Sequence, residues 1–135
     1  MCSSDLAPTA LALGDRRELV DRSGDTEVAH WLDDAMAGLE PGAVVVSWWS
    51  YSTPLWYGTL VEGRRPDLRI VDDSTRETEG LGSVEDVIDA NLGLRPVYLI
   101  RLPGDIADLE RRYAIEPVDR PGGVYRVTGR LEAAP

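Results

Sequence analysis

Seven side chains have types and positions suited to contacting a ligand: Trp48, Trp49, Ser50 and Tyr51 in one run, Asp72 and Asp73 in a second, and Arg101 further on. Indole and phenol faces beside carboxylates and hydroxyls suit a sugar, whose C–H face stacks and whose hydroxyls take hydrogen bonds. The structural alternative for Trp48 and Trp49 is to cover a sheet edge or pack beneath the next helix, the commoner use of large aromatics. Asp72 and Asp73 resemble a catalytic pair only superficially, because neighbours on an extended chain point to opposite sides. A single carboxylate at a strand end can hold a ribose hydroxyl, serve as a base, or cap the following turn, and capping is the role expected here.

Much catalytic equipment is missing. Every basic side chain is an arginine, so neither a Schiff-base lysine nor a P-loop lysine exists. His30 and Cys2 are the sole histidine and cysteine and cannot make a zinc site in one chain unless carboxylates supply most ligands. The run SWWSYST, which follows the first expected strand, lacks the G-x-G-x-x-G backbone that lets phosphates approach. Serine with one distant histidine gives no credible triad, and the G-x-S-x-G elbow is absent. No catalytic residue, cofactor or metal ligand is therefore assigned. A net charge of -10 argues against a nucleic-acid partner and against an anionic membrane surface.

The ligand-facing residues need elements to hold them. Ala43, Val44, Val45 and Val46 suit a strand covered on both faces. Residues 48–52 are expected as a loop, with Thr53-Pro54 opening a helix over 54–62 and Gly63 stopping it. Before this strand, Val28, Leu32, Ala35, Met36 and Leu39 recur at helical spacing behind a cap at Asp25. A short strand at 68–71 delivers Asp72 and Asp73, and 74–82 is expected as a mobile polar connection. Ser83 and Asp86 have the spacing of a capping box, Val84, Val87 and Ile88 form the inner face of its helix, and Gly93 closes it. A third strand is expected at 96–100. Pro103 then starts a helix that places Ile106, Leu109 and Tyr113 on one side. Residues 114–118 and 124–128 are expected as an antiparallel pair joined through Pro121-Gly122-Gly123.

Strands alternating with helices make a parallel sheet the default. The expected fold is α/β, a three-layer Rossmann-like sandwich, mainly parallel with a C-terminal antiparallel hairpin. Its domain spans 25–130, after a linker or arm at 1–24 and before a tail at 131–135. In such sheets ligands bind beyond the carboxyl ends of the strands, which singles out residues 47–53, 72–75 and 101–105. The first six residues, MCSSDL, are what a common sequencing-adapter end gives on translation, and on that reading the natural chain starts upstream.

From residue 21 to 127 the chain resembles the soluble C-terminal portion of a bacterial family of multi-pass membrane proteins of unknown function. The segments that carry the resemblance are AHWLDDAMAGLEPGAVVVS, STPLWYGTLVEGRRPDLRIVDD and LRPVYLIR. The membrane part of that family is similar to protein O-mannosyltransferases, which are glycosyltransferases that use polyprenyl-phosphate sugars. The resemblance implies an extracytoplasmic accessory domain, with the membrane-embedded part of the same parent chain as partner and a sugar or glycosyl acceptor as ligand. Catalytic residues of those transferases lie in loops between membrane helices, and no position here matches them. A stand-alone small-molecule or sugar-binding module, and a small enzyme using Asp72 or Asp73, are the alternatives.

Overall fold

The computed structural model describes residues 26–118 and 123–132. It is an α/β fold built on one five-stranded mixed sheet, in the order β2-β1-β3-β5-β4. Strand β1 (Val44–Ser47) lies between β2 (Arg69–Val71) and β3 (Val97–Ile100) and runs parallel to both. The sheet's other half is antiparallel: β5 (Tyr125–Arg130) pairs with β3 and with β4 (Tyr113–Pro117). The expected parallel core and antiparallel C-terminal strands are both present. The connection through Pro121 and Gly122 lies outside the described residues, as do Asp25, the arm at 1–24 and all but the first two residues of the tail.

Alternation of side chains across the pleat divides the core in two. Val45, Ile70, Tyr98 and Ile100 face one way and pack against Leu32, Ala35 and Met36 of α1 (Glu27–Gly38) and Leu55 of α2 (Trp49–Trp56). Val44, Val46, Val71, Val97 and Leu99 face the other way. They pack against Val87 and Ile88 of α4 (Val84–Asn91) and Ile106 and Leu109 of α5 (Pro103–Leu109). Every residue of β1 and β3 is buried, as their unbroken apolar runs require. The Ser83–Asp86 capping box forms as expected, each residue bonding the other's backbone N–H.

Three expectations fail locally. Residues 48–52 are not a loop: α2 begins at Trp49, so Pro54 sits inside the helix rather than at its start. Its missing N–H removes the amide that would bond the Ser50 carbonyl in a regular helix, and the first turn is secured by the Tyr51 and Ser52 amides bonding the Trp48 carbonyl at 2.9 and 3.0 Å. Residues 74–82 are not a connection throughout: α3 (Asp73–Glu79) occupies most of them, capped by Asp72 and ended by Gly80 at φ 65°. Tyr113 is not on a helix, because α5 ends at Leu109 and Tyr113 opens β4.

After α2 the chain widens into a π-helical turn, Tyr57–Val61. Gly58 faces α1 there, so closely that a Cβ would stand 2.5 Å from the Met36 Cε. The helix stops at Gly63, where φ is 66°, as the sequence leads one to expect.

Candidate functional site

The three parallel strands are in register, Val46 against both Val71 and Leu99, so their carboxyl ends stand side by side. Each strand delivers its next residue to a common rim: Ser47 and Trp48, then Asp72 and Asp73, then Arg101. The Trp48 amide bonds the Ile100 carbonyl at 2.9 Å, which ties the first and third of these together.

Arg101 is the centre of the rim, with its side chain 8% exposed. Its Nη1 donates to Asp73 Oδ1 at 3.2 Å and to the Ser47 carbonyl at 3.3 Å, and its Nε donates to Asp105 Oδ2 at 3.1 Å. Its carbon Cζ lies 6.0 Å from the centre of the Trp48 ring, the outer limit of a cation–π contact. Asp73 is shared: Arg76 Nη2 reaches the same Oδ1 at 2.7 Å, and Arg76 Nη1 donates to the Gly82 carbonyl at 2.5 Å. Burial pushes the Asp73 carboxyl up, but hydrogen bonds and charge from Arg76 and Arg101 outweigh it and hold the group below the ordinary carboxylate range. Arg76 and Arg101 with Asp73 and Asp105 are formally neutral as a set. The Arg76 Nε is buried without a hydrogen-bond partner.

Asp72 does something different. It is 2% exposed and its Oδ1 accepts the Thr75 amide at 2.8 Å, capping α3. The two aspartates are thus divided, one to a helix cap and one to an arginine pair, as their opposite directions on the chain require. The rim unites Trp48, Asp73 and Arg101 only. Tyr51 turns toward α1, its ring 5.4 Å from that of Trp31 and tilted by 36°. Trp49 and Ser50 point into solvent.

The sequence singled out the stretches that hold Ser47, Ser52 and Asp105 without giving these residues a role, and left Arg76 out. Arg76 and Asp105 stand three and four residues from their partners, the spacing of helical ion pairs; Arg76 was legible had a helix been expected at 73–79, and Asp105 lies on the helix that was expected from Pro103. Ser47 and Ser52 are fully buried and share a hydrogen bond of 2.5 Å between their hydroxyls. Since Ser52 Oγ donates to the Trp48 carbonyl at 3.1 Å, the shared proton comes from Ser47. Nothing in the residue types alone announces that pair.

Among the described residues no group of histidine, cysteine and carboxylates could hold a metal ion. Two cavities lie away from the rim. One, of about 220 Å³, is lined by Arg69, Leu81 and Asn91; the other, of about 410 Å³, by Leu94, Arg95 and Arg126. No described helix is long and apolar enough to cross a membrane. No protein-family model, curated protein or solved structure matches the chain.

Proposed function

We propose that this domain, a three-layer sandwich of Rossmann-like type, is a non-catalytic accessory or binding module. One observation carries the reading. The sole guanidinium delivered to the rim by a strand, Arg101, already has its donors directed at Asp73, Asp105 and a backbone carbonyl. A phosphate or carboxylate would have to displace Asp73 to reach it, and Asp72, buried as a helix cap, is poorly placed to take a proton from a substrate. Support for a parent protein comes from the resemblance of residues 21–127 to the C-terminal portion of a membrane glycosyltransferase-like family. On that reading this is its soluble extracytoplasmic accessory domain, and sugar transfer occurs in the membrane part. The test is assay of the isolated 135-residue chain with polyprenyl-phosphate sugars and with nucleotide sugars. No turnover is expected, and turnover of either substrate overturns the reading. Coding sequence for several hydrophobic helices immediately upstream supports the parent, and its absence removes it.

A second reading, a stand-alone sugar-binding module, is favoured by Trp49, which is 61% exposed. Trp49→Ala then abolishes sugar binding, measured by isothermal titration, without altering the fold.

A further inference from the structure

Among the described residues, an exposed apolar surface runs along α2 and the π turn after it. Trp49, Thr53 and Tyr57 recur every four residues and are all exposed, which places them on one helix face, and the π turn that Tyr57 opens carries the exposed Leu60 and Val61. The opposite face is the buried one: Ser52, Leu55 and Gly58 look toward the sheet and α1. Leu60 and Val61 are 79% and 69% exposed, and Trp49 and Tyr57 61% and 54%. Burying such side chains in a core would be worth about 1.5–3 kcal/mol each, so a row of four left in water marks a surface with a use. The π turn contributes. It brings the Glu62 amide to the Tyr57 carbonyl at 3.1 Å, one residue beyond α-helical pairing, and seats Gly58 on α1 while its neighbours stay outside.

The charge pattern selects the occupant. From Trp49 to Val61 there is no ionisable acid or base other than tyrosine, in a chain that is 28% charged. A basic partner would find no carboxylate along this face. An anionic lipid surface would meet Asp34 of the neighbouring helix and a net charge of -10, the single positive charge of Arg64 being already shared between Asp33 and Glu62. What fits is a second apolar helix face without charge, and another copy of this chain supplies one. We propose that the ridge of Trp49, Tyr57, Leu60 and Val61 is an isologous dimer interface, the two helices packing antiparallel about an axis near Thr53 and Tyr57 so that Trp49 of each copy approaches Leu60 of the other. The four side chains expose on the order of 500 Å² per copy, which with a polar rim approaches the roughly 800 Å² per partner of a standard interface. This inference is independent of the accessory reading.

Sedimentation equilibrium of the 135-residue chain tests it, the monomer being 14.8 kDa. A reversible dimer is expected, and its dissociation constant falls as NaCl rises from about 0.05 to about 0.5 M, because repulsion between two acidic copies is screened. Leu60→Glu weakens association at least ~10-fold by placing a charge at the contact, and leaves the thermal melt unchanged at concentrations well below the dissociation constant, where variant and unmodified chain are both monomeric, because Leu60 is exposed. Leu94→Glu, a substitution of an equally exposed leucine in the loop before β3, leaves association unchanged. A monomer at every salt concentration, or a dimer indifferent to Leu60→Glu, or one lost equally in Leu94→Glu, overturns the proposal.

Discussion

The guanidinium of Arg65 and the carboxylate of Asp67 meet as a two-pronged pair, Nε to Oδ1 at 3.0 Å and Nη2 to Oδ2 at 2.9 Å. The other edge of the same guanidinium closes α1. It donates to the carbonyls of Met36, in the last turn and left by the helix end without an intrahelical partner, of the C-cap residue Leu39 and of Glu40 just beyond, at 2.6, 3.0 and 3.1 Å. Asp67 also accepts the Gly42 amide at 2.9 Å, so one ion pair joins the end of α1 to the turn before β1. Arg65 holds φ at 48°, a left-handed backbone that residues with side chains seldom adopt, which indicates how strongly these contacts fix it.

Replacing Arg65 with alanine should therefore cost about 2 kcal/mol in urea unfolding, since charge-assisted bonds to three carbonyls disappear together. Arg65→Lys should recover only part of that, lacking the planar fork. The pH dependence has a definite sign. Hydrogen bonds from Arg65, then the Gly42 amide, hold the Asp67 carboxyl well below the ordinary aspartate range. A carboxyl depressed in the folded state contributes stability above its unfolded pKa, about 4, and that contribution is lost as pH falls toward the folded value. Asp67→Asn should flatten this acid limb, as read from unfolding midpoints at a series of pH values from about 6 downward.

The buried serine pair makes a second prediction, about asymmetry. Ser47 donates to Ser52, which donates to the Trp48 carbonyl. Ser52→Ala leaves a buried hydroxyl donor with nothing to receive it, whereas Ser47→Ala leaves Ser52 still bonded to the carbonyl. The first should cost about 1–2 kcal/mol more than the second. The double alanine variant should be less destabilised than the sum of the singles, because both ends of the shared bond are then gone. Equal single costs that add without coupling would show that the two hydroxyls do not share a proton.

Gly58 gives a third. A methyl group there stands 2.5 Å from Met36 Cε and 3.3 Å from Leu32 Cδ2, and the methionine end can swing aside while the leucine is hemmed in by the core. Gly58→Ala should cost about 1–3 kcal/mol through overpacking. Met36→Ala, itself destabilising, should cost at least ~0.5 kcal/mol less in the Gly58→Ala background, since the cavity and the added methyl coincide. Additive costs in chemical denaturation would place the conflict elsewhere.

What could be read from the sequence was whatever apolar periodicity governs. The valines of β1, the run of β3 and the Leu32-Ala35-Met36 face of α1 were legible because burial leaves a repeating pattern. Helix α3 left none. It buries no residue, and it stands on the Asp72 cap, the Arg76–Asp73 pair and the Arg69–Glu79 pair, all of which look like loop composition until their spacing is considered. Pro54 misled because proline favours a helix's first turn, while the turns here begin five residues earlier on the Trp48 carbonyl. Tyr113 was right as to burial and wrong as to element: a residue four after Leu109 lies on the same face of a helix, yet the chain leaves the helix and returns it to the same core as a strand. At the rim the sequence named Trp48, Asp73 and Arg101, but no one-dimensional pattern reveals that Asp73 is shared between two arginines.

That sharing makes the last prediction and decides whether the rim is a lock or a site. Arg101→Met keeps the length of the side chain and removes its charge. Asp73 retains Arg76, and Asp105, partly exposed, rehydrates, so the cost should be about 2 kcal/mol rather than the 3–5 typical of stranding a fully buried charge. Millimolar inorganic phosphate should leave the melting temperature of the unmodified chain where it is, because Asp73 already occupies the donors that an anion would use. Asp73→Asn removes that occupant's charge and leaves Arg76 without its carboxylate and Arg101 with Asp105 alone, a net charge of one positive unit in the set. Phosphate should then raise the melting temperature of this variant with a saturable dependence on concentration, as linkage requires of a ligand held by the folded state alone. Stabilisation of the unmodified chain by phosphate, abolished in Arg101→Met, would instead make the rim an anion site whose carboxylate moves aside for its ligand.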